Sequence, residues 1–233
     1  MKNMVLLTGC SRRLLSLPST FAQTLLPKNT RGCRLLFALL SLGAVLAPQH
    51  VTAEELVLDL NPGKWSARGT NIVEEDTAVQ LGEHPPANES SSLDFKYHLL
   101  GVPGSRSFSE YGYHTAEKIL DPLKSISFWV KSSGDPVILS IVFRDATDTF
   151  HQWRVSTLDP GEQWQKVTFD FTQSYTEDSK VYASWGPSGV VERTFDPANV
   201  QPPMTLHSFV LDPANKDGSE FQGVVSISGV KIE

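Results

Sequence analysis

The chain has 233 residues, and its first 53 contain six Lys and Arg but no Asp or Glu. The remaining 180 residues therefore carry 14 basic against 26 acidic side chains, a net charge of −12, which argues against nucleic acid or an anionic membrane surface as their partner. Both cysteines, Cys10 and Cys33, precede residue 54, so the rest of the chain has no disulfide and no thiol chemistry.

The first 53 residues predict a secretory leader. Basic residues precede the apolar run LLFALLSLGAVLA of residues 35–47, and the tripeptide VTA of residues 51–53 follows it. A basic segment, an apolar core too short to span a bilayer and a small-x-small cleavage site are typical of a signal peptide. We therefore expect cleavage near Ala53, a secreted or periplasmic protein, and a single domain over residues 54–233. Membrane attachment is expected only if the leader stays uncleaved.

From residue 54 onward, apolar residues recur mainly at every second position, in short runs separated by Gly, Pro, Asn and Asp. This period predicts β-strands with one core face and one outer face. Only SEYGYHTAEKILDPL, residues 109–123, offers a helical turn. Eight strands without a long helix predict an all-β fold, an antiparallel β-sandwich. The runs are 55–60, 92–100, 125–132, 137–144, 151–157, 165–171, 205–212 and 223–232.

The four runs between residues 125 and 171 define a candidate binding face. Turn-forming segments at 132–136, 145–149 and 158–163 favour antiparallel neighbours. Alternation places Trp153 in the core and a mixture of aromatic and hydrogen-bonding side chains outside. A sugar ring stacks on aromatic rings and offers hydroxyls to Arg, Asp and Gln, so the mixture suits a saccharide. The outer set is Trp129, Arg144, Phe150, Gln152, Arg154, Thr168 and Asp170.

The long loops can add ligand contacts to this face, or they can cover it. The longer connections lie at 61–91, 101–118 and 172–203, and we expect Trp185 or Tyr113 to add ligand contacts from such loops. The alternative is an ordinary solvated sheet, or one covered by the loops, in which case Trp129 packs in a second apolar layer.

Three motifs between residues 123 and 171 carry a family resemblance: FWVKSSG, VFRDATDTFHQW and GEQWQKVTFDF. This region resembles the central strands of carbohydrate-binding modules with a galactose-binding-like jelly roll, which are found attached to secreted glycoside hydrolases. The resemblance implies a jelly-roll sandwich, a polysaccharide or oligosaccharide as partner, and a separate glycoside hydrolase as an associated enzyme. It also implies a structural calcium ion as a candidate cofactor, with carboxylates near strand ends as ligands. These are Asp59, Asp76, Asp212 and Asp217, but no loop of EF-hand spacing occurs, so we expect solvated turn residues and no cofactor, with calcium as the alternative.

Two other functions stay open. One is a structural or protein-interaction sandwich of the cell envelope, in which exposed aromatics contact another protein. The other is a small jelly-roll polysaccharide lyase or glycoside hydrolase, for which an acid–base pair is needed. The segment SEYGYHTAEK offers groups for such chemistry, but no G-x-S-x-G elbow or phosphate-binding glycine loop occurs, and we expect a non-catalytic protein. The groups are Glu110, Tyr111, Tyr113, His114 and Glu117.

Overall fold

The computed structural model describes residues 55–233 apart from 84, 116, 120, 121, 216 and 217. The leader predicted for residues 1–53 lies outside the described residues, and its cleavage stays a prediction. All described residues belong to one unit of the chain, which spans residues 50–233. Within them, no helix has both the length and the apolar character that crossing a membrane requires.

The described residues form thirteen β-strands joined by turns and four short 3-10 helices. The 3-10 helices are Pro62–Lys64, Glu74–Asp76, Glu177–Ser179 and Pro197–Asn199. The strands are β1 (Leu56–Val57), β2 (Trp65–Thr70), β3 (Ala78–Leu81), β4 (Ser92–Leu99), β5 (Phe108–Tyr113), β6 (Ser125–Gly134), β7 (Val137–Arg144), β8 (Phe150–Leu158), β9 (Gln165–Asp170), β10 (Tyr182–Trp185), β11 (Val191–Glu192), β12 (Thr205–Pro213) and β13 (Phe221–Ile232).

These strands build two antiparallel sheets. The six-stranded sheet has the order β3-β4-β13-β6-β9, and β1 pairs with β13 beyond the end of the β4 ladder. The seven-stranded sheet has the order β11-β10-β8-β7-β12-β5-β2. The antiparallel β-sandwich of jelly-roll type predicted from the sequence is confirmed.

Alternating apolar side chains from both sheets fill the space between them. Phe95 of β4 stacks on Tyr111 of β5, with 4.4 Å between ring centroids and 10° between planes, and this contact joins the two sheets. Trp153 of β8 is 1% exposed and meets Phe171 and Phe195 edge-on at 4.9 and 5.2 Å. The prediction that Trp153 belongs to the core is confirmed.

The segment 109–123 was expected to contain a helical turn, but its first part is a strand. Residues 108–113 form β5, in which Tyr111 and Tyr113 face the core while Glu110 and Gly112 face outward. Tyr113 packs against Trp65 at 4.6 Å between ring centroids and is 6% exposed. Tyr113 therefore contributes to the core, and the expectation that it adds a ligand contact from a loop is wrong.

The four runs between residues 125 and 171 were expected to be neighbours in one sheet, but they form two neighbouring pairs, one in each sheet. β7 and β8 pair across the turn at 145–149, but β6 and β9 belong to the other sheet. Gly134 opens the β6–β7 connection at φ +94°, where an added Cβ would lie 2.2 Å from the carbonyl oxygen of Gln222. Only glycine fits this crossover from one sheet to the other. Turn-forming residues indicate that the chain reverses its direction. They do not indicate which sheet the next strand joins, because both sheets have an apolar inner face.

Candidate functional site

The predicted binding residues divide between two outer faces that point away from each other. Trp129 of β6 and Asp170 of β9 lie on the six-stranded sheet, together with Thr168. The remaining five lie on the seven-stranded sheet, on β7, β8 and β10: Arg144, Phe150, Gln152, Arg154 and Trp185. The prediction of one common face is wrong, because the chain changes sheets between β6 and β7 and again between β8 and β9.

Trp129 and Asp170 do not form a site of their own. In the β6–β9 ladder Trp129 pairs with Lys166, whereas Asp170 pairs with Ser125, four residues or about 13 Å further along the strand. The carboxylate of Asp170 accepts hydrogen bonds from the hydroxyl and the backbone N–H of Thr172, at 2.7 and 2.8 Å. These hydrogen bonds lower the pKa of Asp170 and engage its oxygens within the turn after β9.

Three rings form a row across the outer face of the seven-stranded sheet. Trp185, the last residue of β10 rather than a loop residue, stacks on Phe150 of β8 with 5.7 Å between centroids and 15° between planes. Phe150 meets His207 of β12 edge-on at 4.9 Å and 68°. We refer to Trp185, Phe150 and His207 as the aromatic row. Since it spans β10 to β12, it lies across the strands rather than along one of them.

A charged cluster continues the aromatic row toward β2. Glu110 of β5 accepts a hydrogen bond from Arg68 Nε at 2.8 Å and another from Ser208 Oγ at 2.8 Å. Its Oε1 also lies 3.2 Å from Nε2 of His207. Burial opposes ionisation of Glu110, but the hydrogen bonds from His207, Arg68 and Ser208 outweigh it and hold the pKa at about 2. Glu110 is therefore an ionised acceptor that fixes one end of the aromatic row.

Short side chains lie beneath the surface of this face. Val142, Val210 and Ser208 belong to its outer columns, yet Val142 is only 2% exposed and the other two are also buried. Because the longer side chains around them cover these residues, a ligand on this face would meet the longer side chains. Gln152, which pairs with Val142, is also buried.

A cavity of about 240 Å³ opens beside Trp185 on the same face. Gln152 and Arg154 of β8 line it, together with Arg106, Arg193 and Asp212 from the surrounding strands and loops. Arg106 donates two parallel hydrogen bonds to Asp212, at 2.8 and 2.9 Å, and its guanidinium lies 4.7 Å above the ring of Phe108. This wall of the cavity is therefore held rigidly.

Sequence reasoning missed several residues of this face, with an identifiable cause in each strand. A register shift between Leu206 and Ser208 bulges β12 at His207 and reverses its alternation, so strict counting assigns His207 to the core column of Phe209. The sequence indicated Glu110 only as a candidate acid–base group of a loop, although the alternating Tyr111 and Tyr113 predict a strand from which Glu110 faces outward. Arg68, Arg106 and Arg193 lie in or beside short strands within the expected loops.

A second polar cluster lies in a cavity of about 360 Å³ near the turn between β7 and β8. His151 Nδ1 lies 2.7 Å from the hydroxyl of Tyr182, and His151 Nε2 lies 3.1 Å from Asp145 Oδ2. Burial lowers the pKa of His151, although Asp145 opposes the shift. Both ring nitrogens are engaged and the ring stacks beside Trp153, so this cluster serves to hold the edge of the core rather than to offer a free base.

The carboxylates considered for calcium are each engaged elsewhere. Asp59 pairs with Lys64 at 2.9 Å, Asp76 with His98 at 2.9 Å, and Asp212 with Arg106. Asp217 lies outside the described residues. Within the part of the chain that the structure describes, no group of three or more His, Cys, Asp or Glu side chains is arranged to hold a metal ion.

No protein-family model matches the chain, and no curated protein matches it. Among solved structures, it is similar to a family 11 carbohydrate-binding module from Clostridium thermocellum in complex with a beta-1,3-1,4-mixed-linked tetrasaccharide, at 15% identity over 76% of this chain and 94% of that one, with a TM-score of 0.46. It is also similar to the family 11 module of a cellulosomal cellulase of the same organism, at 14% identity over 78% and 95%, with a TM-score of 0.48.

A third similar structure is a family 29 carbohydrate-binding module complexed with mannohexaose, at 10% identity over 78% of this chain and 92% of that one, with a TM-score of 0.38. The kind of protein that the sequence resembles is thus among the structures to which the chain is similar.

Proposed function

We propose that the protein is an exported, non-catalytic β-sandwich that binds a polysaccharide or oligosaccharide on the outer face of its seven-stranded sheet. The observation that carries this proposal is the aromatic row, Trp185–Phe150–His207, beside hydrogen-bonding side chains of the same face. Sugar rings pack their apolar faces on aromatic rings, while their hydroxyls bond to Arg, Gln and carboxylate groups. Trp185 is half-buried and lines the cavity of about 240 Å³ on this face.

The extent of the face favours a chain of sugars over a single sugar. The aromatic row and the Glu110–Arg68 pair together reach from β10 to β2, across five inter-strand spacings, or about 24 Å. Along this line aromatic rings come first and charged hydrogen-bonding groups follow. An oligosaccharide lying across the strands contacts both, which a monosaccharide does not.

The engagement of the acidic side chains on this face supports a non-catalytic role. A glycoside hydrolase needs two carboxyl groups about 5 to 10 Å apart, one of them protonated when the reaction begins. On this face Glu110 is held ionised by Arg68, Ser208 and His207, and Asp212 is held by two hydrogen bonds from Arg106. Glu110 is therefore not suited to donate a proton at neutral pH, and both carboxylate oxygens of Asp212 are engaged by Arg106. The buried His151 is engaged at both ring nitrogens.

Export and an associated enzyme complete the proposal. The basic segment, apolar run and small-x-small site of the first 53 residues support export to the periplasm or the medium. A separate glycoside hydrolase is the partner that such a glycan-binding protein would serve. Membrane attachment belongs to the proposal only if the leader is retained.

The test is a panel of soluble and insoluble polysaccharides incubated with the purified protein, in which bound protein and released reducing or unsaturated ends are recorded together. We expect saturable binding without product. Trp185→Ala is expected to weaken binding, whereas Trp129→Ala, a matched tryptophan on the opposite sheet, is expected to leave it unchanged. Product release would indicate an enzyme, and loss of binding in Trp129→Ala alone would move the site to the six-stranded sheet. Absence of binding to the whole panel would refute the proposal.

A further inference from the structure

All arginines after residue 54 lie on one face of the sandwich. The outer face of the seven-stranded sheet carries three of them on its strands, namely Arg68 on β2, Arg144 on β7 and Arg154 on β8. Arg106 reaches the same face by its hydrogen bonds to Asp212 of β12, and Arg193 lines the cavity beside Trp185. In a region with a net charge of −12, this concentration of positive charge is local and opposite in sign to the whole.

Three of these arginines have carboxylate partners and two do not. Arg68 pairs with Glu110 at 2.8 Å, Arg106 with Asp212 at 2.8 Å, and Arg144 more loosely with Asp148 at 3.6 Å. Neither Arg154 nor Arg193 forms an ion pair with any residue that the structure describes.

The unpaired cations meet at the cavity of about 240 Å³. Arg154 and Arg193 line it with Lys180, which also has no carboxylate partner among residues 55–233 as described, and with Arg106. Asp212 is the single carboxylate in the described lining, and Arg106 already neutralises it. The cavity therefore holds an excess of three positive charges, directly beside the ring of Trp185 and the amide of Gln152.

We infer that the glycan bound on this face is acidic, and that a uronate carboxylate enters the cavity between Arg154 and Arg193 while its sugar ring lies against Trp185. This inference rests on the proposed function and specifies its ligand. A guanidinium group binds a planar carboxylate through two parallel N–H···O hydrogen bonds, which a neutral hydroxymethyl group cannot reproduce. The cavity accommodates a substituent of one sugar, while the aromatic row takes the neighbouring rings.

The charge of the rest of the molecule makes the attraction selective. A polyanion that approaches the acidic parts of the surface is repelled, so its binding depends on the local excess of positive charge at the cavity. Since exposed charges are screened beyond about 8 Å at physiological ionic strength, the contribution of the carboxylate to the binding affinity should decrease as salt is added. The stacking contribution of the aromatic row should persist in high salt.

The experiment compares uronate polysaccharides with their carboxyl-reduced counterparts. Polygalacturonate, alginate and glucuronoxylan are each titrated against the purified protein beside the carboxyl-reduced form of the same preparation, by calorimetry at low and high salt. We expect at least one carboxylated form to bind at least 10-fold more tightly than its reduced form at low salt, with the ratio falling at high salt. Arg154→Gln combined with Arg193→Gln should abolish this ratio, because the loss of both guanidinium groups should weaken binding of the carboxylated form far more than binding of the reduced form. Lys166→Gln removes an exposed cation from the opposite sheet, and it should change neither the affinity ratio nor the affinity for the reduced form.

The outcomes separate the inference from the proposed function. If carboxylated and reduced forms bind with equal affinity, and Trp185→Ala weakens the binding of both, the inference of an acidic ligand is wrong and the proposal of glycan binding on this face stands. If no polysaccharide of either form binds, both proposals fail. Dextran sulfate, which lacks carboxylates, serves as a third arm, and its binding as tightly as the uronate with the same dependence on Arg154 and Arg193 would overturn the carboxylate assignment. Arg154 and Arg193 are exposed, so thermal melting should confirm that the double variant stays folded.

Discussion

The indole of Trp185 lies nearly parallel to the ring of Phe150, with 15° between the planes and 5.7 Å between the centroids. Phe150 is in turn held from its other side by His207, at 4.9 Å. The indole is thereby supported on one face, while Trp185 itself is only half-buried at the end of β10. A sugar ring meets a surface already ordered for stacking, so little side-chain freedom is lost on binding.

Replacing Trp185 by alanine should therefore affect binding more than stability. An aromatic contact contributes about 0.5 to 1.5 kcal/mol beyond its buried area, so we expect Trp185→Ala to weaken glycan binding by about 10-fold or more. The free energy of unfolding should fall by about 1 kcal/mol or less, because the residue lies on a short strand near the sheet edge. Calorimetric titration and urea unfolding of the same preparation measure the two effects. A variant that unfolds readily but binds normally when folded would show that the indole is structural.

The extent of correct prediction follows from how regular each strand is. The apolar column Val137–Leu139–Ile141–Phe143 is uninterrupted, and the predicted run 137–144 coincides with β7. β12 was located as well, yet the face of His207 was missed because a bulge adds a residue to the strand. Alternation is a local property, and a bulge is set by pairing with the neighbouring strand.

The grouping of site residues depended on information that local patterns do not contain. Arg144, Phe150, Gln152 and Arg154 came together as predicted, since a tight hairpin joins β7 to β8. Trp129 was assigned to them through the connection at 132–136, where the chain instead crosses to the facing sheet. The apolar faces of the two sheets are alike in sequence, so the choice of sheet is made by long-range packing. Whether the assembled residues bind a ligand stays a prediction.

The crossover after β6 gives a prediction on stability. Gly134 has φ +94°, and a Cβ there would lie 2.2 Å from the carbonyl oxygen of Gln222 and 2.6 Å from Cα of Gly223. We expect Gly134→Ala to lower the free energy of unfolding by about 2 kcal/mol or more, because strained backbone and a clash with backbone atoms add. Gly161→Ala is the matched control in the second crossover, where an added Cβ meets no atom within 4 Å. Equal midpoints in urea for the two variants would contradict this account.

Glu110 predicts acid sensitivity in the pH range below 4.5. Its pKa is about 2 in the folded protein against an ordinary value of 4.5, so the folded state favours the ionised form. The resulting stability is present above pH 4.5 and is lost as the pH falls toward 2, with an upper limit of about 3 kcal/mol. Glu110→Gln should remove this component, so that the difference in unfolding free energy between wild type and variant shrinks from pH 5 to pH 2. A difference independent of pH would show that the carboxylate is not held ionised by Arg68, Ser208 and His207.

His151 predicts a second pH dependence, at higher pH. Burial lowers its pKa below the ordinary 6.5, so the unfolded chain takes up a proton that the folded protein resists. Stability is therefore unaffected above pH 7 and falls as the pH drops below 6.5, with a slope of at most about 1.4 kcal/mol per pH unit. The groups facing the imidazole are Asp145, which limits the shift, Tyr182 and the ring of Trp153.

The variant His151→Gln isolates this effect, because glutamine can bond to Asp145 and Tyr182 but does not titrate. We expect the wild type to lose more stability than the variant between pH 7 and pH 5, measured by urea unfolding at each pH. His98 acts in the opposite direction, since its hydrogen bond to Asp76 raises its pKa, and it is common to both proteins and cancels in the comparison. Parallel stability curves for the two proteins over this range would mean that the pKa of His151 is the same in the folded and the unfolded state, so that the Asp145 carboxylate fully offsets the burial of the ring.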